Sequence, residues 1–303
     1  MGTRSLFAKT RQTPVSFPVP ANACDCHTHI FGDPRRFPFV DGRGYTPGTA
    51  PPAEMAALHR GLHMKRVVIV TPSVYGTSNS ATLWGMKARG PNARGIAVID
   101  DRTTDAGLAA MDLAGIRGVR INLGSAGAVD RNVARLRFQA TAKRVAKLKW
   151  HVQVYAHVSV VAGIRDQVEA SGVPVVFDHF GGAQAADGLN QPGFADLLEL
   201  VRNGAAYVKI SGAYRASPRS PDYPDTAPFA KALIAANPDR IVWGTDWPHP
   251  DSAIVPGRKP TDNAPFLPID DGRLLNQLPV WAPDAAIRDK ILVANPARLY
   301  GFA

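Results

Sequence analysis

Ionisable and hydroxyl side chains stand at the ends of several short apolar runs in this chain. The members of this set are His27, His29, Tyr155, His157, Asp178, His179 and Asp246. Imidazoles bind metals, donate hydrogen bonds and move protons near neutral pH, and a carboxylate accepts a proton from an attacking water. One histidine at a strand end is usually structural. Four histidines that converge with an aspartate favour a catalytic or metal-binding site.

The elements that carry these residues are eight short runs rich in β-branched side chains, which we predict to be strands. They lie near 23–29, 66–71, 94–100, 116–122, 151–157, 173–178, 206–211 and 240–246. Their starts recur about every 31 residues, the length of a strand, a helix and a right-handed return. Apolar strands alternating with helices predict a parallel sheet, and eight of them favour a closed (β/α)8 TIM barrel. An open doubly wound sheet is the alternative, but HTHIFGD lacks its glycine-rich phosphate turn.

We predict a single domain over residues 1–303, with residues 1–20 as an extended N-terminal arm. Helices are expected at 53–63 and 131–149, and a closing helix at 283–296 that ends at Asn295-Pro296. Four stretches rich in proline and glycine follow strand ends, where a barrel carries its functional loops. They are 33–52, 181–193, 216–228 and 248–268.

Composition narrows the class of protein. The 303 residues are 45% hydrophobic and 20% charged, which predicts a folded core rather than disorder. The net charge of +10 is scattered, without a basic stripe interleaved with aromatics, so we expect an anionic small substrate and no nucleic acid. No apolar run reaches the ~18–20 residues of a membrane span, and no secretory signal is evident. We therefore expect no membrane partner, a cytoplasmic location, and a monomer or small homo-oligomer.

The period of two along a strand predicts which way the first run faces. His27 and His29 should share one face with Asp25 a step deeper, while Cys24 and Cys26 point toward the helices. On the helix that follows, His59 and His63 have the spacing of a metal pair. Because that helix packs outside the barrel, both are expected to be surface residues.

Arginines near the strand ends indicate the class of substrate. Arg120 lies inside an apolar strand, where an unpaired charge is costly, and Arg131 and Arg215 follow the fourth and seventh strands. A guanidinium grips a carboxylate through two parallel hydrogen bonds, so several of them predict a substrate with two carboxylates. Further candidate contacts to these groups are the hydroxyls of Tyr45, Ser73 and Tyr75.

Three motifs carry a resemblance to the amidohydrolase superfamily, in particular its second family. They are DCHTHIFG at 25–32, GTDWPHP at 244–250 and NPARLYGF at 295–302. Finer features resemble the branch of 2-pyrone-4,6-dicarboxylate lactonases: TPSVYG at 71–76, GVRIN at 118–122, DHFGG at 178–182 and KISGAYR at 209–215. The resemblance runs from about Asp25 to Phe302. In that branch the tyrosine that matches Tyr155 contacts the substrate.

The superfamily commonly holds one or two divalent metals. Its ligands correspond here to His27, His29, His157, His179 and Asp246. The fourth strand ends in Arg120-Ile121-Asn122, without a lysine or glutamate to bridge two metals, so a binuclear site is not expected. The lactonase branch works without metal, which implies no cofactor here; one Zn²⁺ is the alternative.

These features together predict a carboxylic-ester hydrolase that opens a carboxylated lactone. Asp246 is expected to activate water, with His27, His29 and His179 donating hydrogen bonds to the carbonyl oxygen. By resemblance the first substrate is 2-pyrone-4,6-dicarboxylate, an intermediate in bacterial breakdown of lignin-derived aromatics. The alternatives are a sugar-acid lactonase, a mononuclear zinc amidohydrolase or decarboxylase, and a non-catalytic protein that binds anionic aromatics.

Overall fold

The computed structural model describes residues 12–123, 131–253 and 255–303, and of Arg131 only the backbone. Eight parallel strands form one sheet in chain order, which confirms the predicted (β/α)8 barrel. The first to eighth strands are Cys24–Thr28, Arg66–Val70, Ala93–Ala97, Ile116–Asn122, His151–Tyr155, Val175–Phe177, Ala206–Ser211 and Ile241–Gly244. A parallel bridge between Thr28 and Trp247 brings the first strand against the end of the eighth.

Helices follow the strands and cover the outside of the barrel. The main ones are Pro52–Gly61, Ser80–Arg89, Asp105–Leu113, Arg131–Val145, Val161–Ala170, Phe194–Arg202 and Ala227–Ala236. Shorter ones are Ala213–Ala216, Asp271–Leu275, Leu278–Trp281, Ala285–Asp289 and Asn295–Tyr300. Within the described ranges, no helix combines the length and the apolar character that crossing a bilayer requires.

Two loops at the rim are joined to each other. Thr46–Pro47, in the loop after the first strand, pairs with Asn263–Ala264, in the loop after the eighth. The described part of the N-terminal arm, residues 12–20, has no helix or strand, and Thr13 and Ser16 bond to the side chains of Asp270 and Asn276.

The closing helix differs from its prediction. The chain does not leave the helix at Pro296: a π-helical turn, Lys290–Ala294, leads into a last helix that ends at Tyr300. Proline lacks an N–H and clashes with the preceding turn of a regular α-helix. The wider π turn precedes the proline, and the helix continues beyond it.

The first strand also faces differently from its prediction. Its register against the second strand slips between Asp25 and Thr28, which pair with Val67 and Ile69. This bulge breaks the period of two. Cys24 and Cys26 pack inside the barrel, and Asp25 is turned outward to the first helix.

His59 is the outward partner of Asp25, and it is buried rather than on the surface. Its Nε2 lies 3.1 Å from Asp25 Oδ2, and the same carboxylate accepts from the backbone of His27 and from the amide and hydroxyl of Thr245. Asp25 therefore links the first helix to the ends of the first and eighth strands. His63, by contrast, is exposed as predicted.

Candidate active site

The ends of the first, sixth and eighth strands bring three imidazoles to one carboxylate oxygen. Asp246 Oδ1 lies 3.5 Å from Nε2 of His29, 3.6 Å from Nε2 of His27 and 3.8 Å from Nε2 of His179. All four side chains are buried. Neither Asp246 Oδ1 nor His27 Nε2 has a hydrogen-bond partner among the described residues. The cluster therefore presents reactive atoms to a common point.

Backbone conformation turns two of these side chains toward that point. Asp246 and His179 have φ of 67° and 48°, in the left-handed region that side chains other than glycine rarely adopt. Asp246 N donates to His27 O at 2.8 Å, and His29 N donates to Trp247 O at 2.8 Å. These bonds hold the strained turn of the eighth strand against the first, and strain of this kind is concentrated at functional sites.

The other oxygen of Asp246 is fully engaged. Oδ2 accepts from the hydroxyl of Tyr214 at 2.6 Å and from Nε of Arg215. Burial by itself would raise the pKa of Asp246, but Arg215, His179, His29 and His27 together hold that pKa well below its usual range. Asp246 is therefore a carboxylate at neutral pH, with Oδ1 as the oxygen that can accept a proton.

His29 differs from the other two histidines in its hydrogen bonding. Its Nδ1 lies 2.8 Å from the carbonyl oxygen of Val70, which can only accept, so Nδ1 carries the proton. In neutral His29, Nε2 is then an acceptor. His29 Nε2 and Asp246 Oδ1 then form a pair of acceptors 3.5 Å apart at the base of the site.

Burial keeps the remaining imidazoles neutral. It lowers the pKa of His179 to about 4, against the opposing charge of Asp246, and it lowers the pKa of His27 well below the usual value. Nδ1 of His179 lies 3.0 Å from Ser211 Oγ.

A small cavity, partly open to solvent, lies above the cluster. Its lining is His29, Tyr45, Pro72, Ser73, Arg120, Asn122, Tyr155, His179, Arg215, Asp246 and Ser252. The structure thus brings Arg120, Arg215, Tyr155, Tyr45 and Ser73 to one pocket with three of the predicted catalytic residues, while His27 lies behind the lining against Asp246.

The two arginines of this cavity are held in place by carboxylates. Arg120 Nε lies 3.2 Å from Asp178 Oδ2, and its guanidinium carbon lies 5.0 Å from the centre of the Tyr155 ring. Arg215 bonds Asp246 through Nε and Ser252 Oγ through Nη1 at 3.3 Å. A guanidinium has five N–H donors, so fixing Nε orients the group without exhausting it.

Three sequence predictions are corrected or lie outside this site. Tyr75 does not line the cavity: its hydroxyl accepts from Gly32 N at 3.1 Å, and burial raises its pKa to about 12. His157 is exposed and bonds Ser159, because it begins a 3₁₀ turn beyond the fifth strand, so it does not join the other ligand candidates. The side chain of Arg131 lies outside the described residues.

The donor set fits one divalent metal by type and spacing. His27, His29 and Asp246 offer ligand atoms that all lie within 4.8 Å of one another, and two of these atoms have no hydrogen-bond partner among the residues described. Tetrahedral zinc with bonds of about 2.0–2.1 Å places its ligand atoms about 3.3 Å apart, near the 3.5 and 3.6 Å found here. The Val70 carbonyl also fixes the His29 tautomer as it would for a ligand.

Sequence reasoning missed a polar layer beneath the cluster. Lys209 and Gln153 are fully buried and contact Asp178 and His27. The signal was present, because Lys209 stands inside the apolar run AYVKIS, and the argument that a buried charge needs a partner applies to it as it does to Arg120.

Comparison with known proteins agrees with this arrangement. The amidohydrolase family model matches residues 24–302. The chain is 35% identical to a 4-sulfomuconolactone hydrolase of Rhizobium radiobacter, over 97% of this chain and 94% of that protein. It is 36% identical to a 2-pyrone-4,6-dicarboxylate hydrolase of Comamonas testosteroni, over 94% and 92%. The crystal structure of a putative 2-pyrone-4,6-dicarboxylic acid hydrolase from Pseudomonas putida superposes with a TM-score of 0.76 at 29% identity, over 94% of this chain and 99% of that one. This chain belongs to the amidohydrolase family.

Proposed function

We propose that the protein hydrolyses the ester bond of a carboxylated lactone, with 2-pyrone-4,6-dicarboxylate as the first candidate substrate. The observation that carries the proposal is Asp246 Oδ1, which is buried, makes no hydrogen bond to any described residue, and lies within 3.8 Å of three imidazoles and beside two cavity arginines. The named activities of the relatives support the same reaction class. A role in the breakdown of lignin-derived aromatics would follow from that substrate.

The reaction begins with a water that donates its protons to Asp246 Oδ1 and His29 Nε2. The water oxygen forms a bond to the lactone carbonyl carbon as Asp246 takes one proton. Negative charge develops on the carbonyl oxygen, where imidazole N–H groups stabilise it. The bond to the ring oxygen then breaks, and the proton held by Asp246 passes to that oxygen. The products are a hydroxyl, or its keto tautomer, and a carboxylic acid that ionises in solvent.

The substrate's own charge assists this base. Asp246 alone is weakly basic, because Arg215 holds its pKa low. A substrate carboxylate bound by Arg215 adds negative charge beside Asp246 and offsets part of the arginine's field. The pKa of Asp246 therefore rises when a carboxylated lactone is bound, which couples recognition of the anion to activation of the water.

Arg120 and Arg215 hold the substrate carboxylates in this proposal. Both line the cavity and both are oriented by buried aspartates. Tyr45, Ser73 and Tyr155 supply hydroxyl groups to the same wall of the cavity. A neutral lactone would offer no anion to the guanidinium N–H groups that Asp178 and Asp246 leave free, so the site selects against it.

We further propose that the reaction needs no metal. Among the described residues, Lys209, Arg120 and the partly buried Arg215 pair with two carboxylates, Asp178 and Asp246, so positive charge already exceeds negative charge in these ion pairs. A divalent ion would add two positive charges to this balance. Mononuclear zinc chemistry is the second candidate, favoured by His27 Nε2 and Asp246 Oδ1, which have no hydrogen-bond partner in the described part of the chain. Zinc held by His27, His29 and Asp246 would polarise the carbonyl and acidify water.

The test is a panel of aromatic-pathway and aldonic lactones followed by ultraviolet absorbance, with mass spectrometry of products formed in H₂¹⁸O. We expect rapid opening of a carboxylated or sulfonated unsaturated lactone with one ¹⁸O per product, and slow opening of neutral analogues. A preference for aldonic lactones would assign a sugar-acid lactonase. Stabilisation by anionic aromatics without turnover would assign a binding protein and overturn the proposal.

Metal analysis of the purified protein tests the proposal that the reaction needs no metal. We expect substoichiometric zinc and unchanged activity after EDTA. Near-stoichiometric zinc whose removal abolishes activity, with recovery on zinc addition, would overturn the metal-independent proposal and favour the zinc candidate.

A further inference from the structure

Lys209 is a fully buried lysine on the inner face of the seventh strand, directly beneath the candidate active site. Its Nζ lies 2.7 Å from Gln153 Oε1, 3.3 Å from His27 Nδ1 and 3.3 Å from Asp178 Oδ1. Lys209 does not line the cavity, and it lies one layer below His27, whose Nε2 is 3.6 Å from Oδ1 of the cavity-lining Asp246. The reaction proposed above gives it no role.

A lysine in this position is costly unless its partners are fixed. Burial lowers the pKa of Lys209, and the Asp178 carboxylate opposes this effect. Asp178 is itself held through Oδ2, which accepts from Gln153 Nε2 at 2.9 Å and from Arg120 Nε at 3.2 Å. Gln153 therefore bridges lysine and carboxylate, and the three side chains form a rigid base under His27.

The contact with Lys209 indicates which ring nitrogen of neutral His27 carries the proton. An ammonium group only donates, so a hydrogen bond between Nζ and His27 Nδ1 makes Nδ1 the acceptor. The ring proton of neutral His27 must then sit on Nε2, the atom that faces Asp246 and the reaction point. An Nδ1–H would instead donate to Asp178 Oδ1, which lies 3.2 Å away. However, Asp178 Oδ1 makes no hydrogen bond among the described residues, whereas the contact with Lys209 has hydrogen-bond geometry.

We infer that Lys209 is a positioning residue: it holds His27 as the Nε2–H tautomer, and so makes His27 the hydrogen-bond donor to the carbonyl oxygen of the lactone. The inference rests on the proposed function for its consequence, but the tautomer itself does not. The two histidines of the first strand then have different roles. His29, fixed by the Val70 carbonyl, accepts from the water, and His27, fixed by Lys209, donates to the substrate.

Activity measurements test the consequence. Lys209→Met keeps the length of the side chain and removes its donors. We expect kcat to fall about 100-fold, the loss associated with one oxyanion donor, while KM changes by about threefold or less. Lys209→Arg, which keeps the charge and the donors, should recover part of kcat. A rise in KM at unchanged kcat, or equal kcat in all three proteins, would overturn the inference.

Nuclear magnetic resonance tests the tautomer without any substrate. Long-range ¹H–¹⁵N spectra of full-length protein with ring-labelled histidine distinguish Nδ1–H from Nε2–H, and His27→Gln assigns the signal. We expect Nε2–H at His27 in the wild type and a shift toward Nδ1–H in Lys209→Met, where the competing donor is gone and Asp178 Oδ1, 3.2 Å away, remains as the acceptor. Nδ1–H in the wild type would overturn the inference even if Lys209→Met does not fold. Nε2–H in a protein that opens no lactone would leave the positioning intact and overturn only the proposed function.

Discussion

The inside of the barrel has two regions built from the same strands. The first is the inner apolar cluster: Cys24, Cys26, Val68, Val70, Ile96, Val176, Tyr207, Val242, Tyr300 and Phe302. The second is the polar cluster, formed by His27, His29, Gln153, Asp178, His179, Lys209 and Asp246. Both exclude solvent to a similar degree. The difference is that nearly every charge in the polar cluster faces an opposite charge or a fixed donor, whereas the apolar cluster fills space.

This comparison shows how one barrel separates stability from chemistry. Phe302 closes the apolar cluster and lies under the guanidinium groups of Arg66 and Arg94, at 5.3 and 4.6 Å from the ring centre. These arginines mark the amino ends of the strands, and the polar cluster lies toward the carboxyl ends, where barrels carry their active sites. Substitutions in the two regions should therefore affect different measurements.

The largest effect is expected from Asp246→Asn, which removes the base and leaves the shape of the site. We expect kcat for a carboxylated lactone to fall at least about 1,000-fold, while binding of the substrate remains measurable by calorimetry. Asp262→Asn, on the exposed part of the same loop, is the matched control. Near-normal turnover by Asp246→Asn would place the base elsewhere.

His151 lies below the polar cluster and carries a polar ring without a hydrogen-bond partner among the described residues. Burial lowers its pKa to about 3. An unfolded histidine takes up a proton near pH 6.5, so the folded state loses stability as pH falls from about 6.5 toward 3. In His151→Met, the free energy of unfolding should decrease by about 3 kcal/mol less between pH 7 and pH 4 than it does in the wild type. The value of kcat should not change.

Denaturant unfolding at pH 7 and pH 4 measures this difference. The exposed His63→Met is the control and should keep the wild-type dependence on pH. His179, with a pKa lowered to about 4, contributes in the same direction and remains in both variants. An unchanged loss of stability in His151→Met would show that its ring is protonated or solvated in the folded state.

Arg215→Met tests whether recognition and activation are coupled at the rim. We expect kcat/KM for a dicarboxylate lactone to fall about 100-fold, mainly through KM, with little change in KM for a neutral lactone. Arg215 also holds the pKa of Asp246 low, so the acid limb of the pH–rate profile should move to higher pH in the variant. The exposed Arg219→Met is the control. Equal effects on both lactones would contradict the carboxylate assignment.

The smallest effect is expected from Tyr300→Phe in the apolar cluster. The Tyr300 hydroxyl is buried without a hydrogen-bond partner among the described residues, so its removal costs no bond. The free energy of unfolding, measured by thermal denaturation, should change by less than about 1 kcal/mol, and kcat should not change. A clear loss of activity would mean that the two regions are coupled through the barrel.

Most of the fold and much of the candidate site could be predicted from the sequence alone. Eight β-branched runs at a regular spacing predict the barrel, and His27, His29, His179 and Asp246 follow from polar residues at strand ends. Both patterns can be read from short stretches of sequence. Buried strands consist mainly of apolar residues, and a charged residue within one is unusual because burying it is costly.

The tertiary structure decided what local periodicity cannot show. A bulge in the first strand, set by pairing with its neighbours, turns Asp25 outward to His59 and the cysteines inward. Tyr75 and His157 leave the site because loop and turn geometry, not position after a strand, directs their side chains. The position of Lys209 under His27 could not be predicted, because its partners Gln153 and Asp178 belong to other strands and are distant in sequence. Strand periodicity specifies a face for each residue, but the partner across the barrel depends on register and closure, which residues distant in sequence determine together.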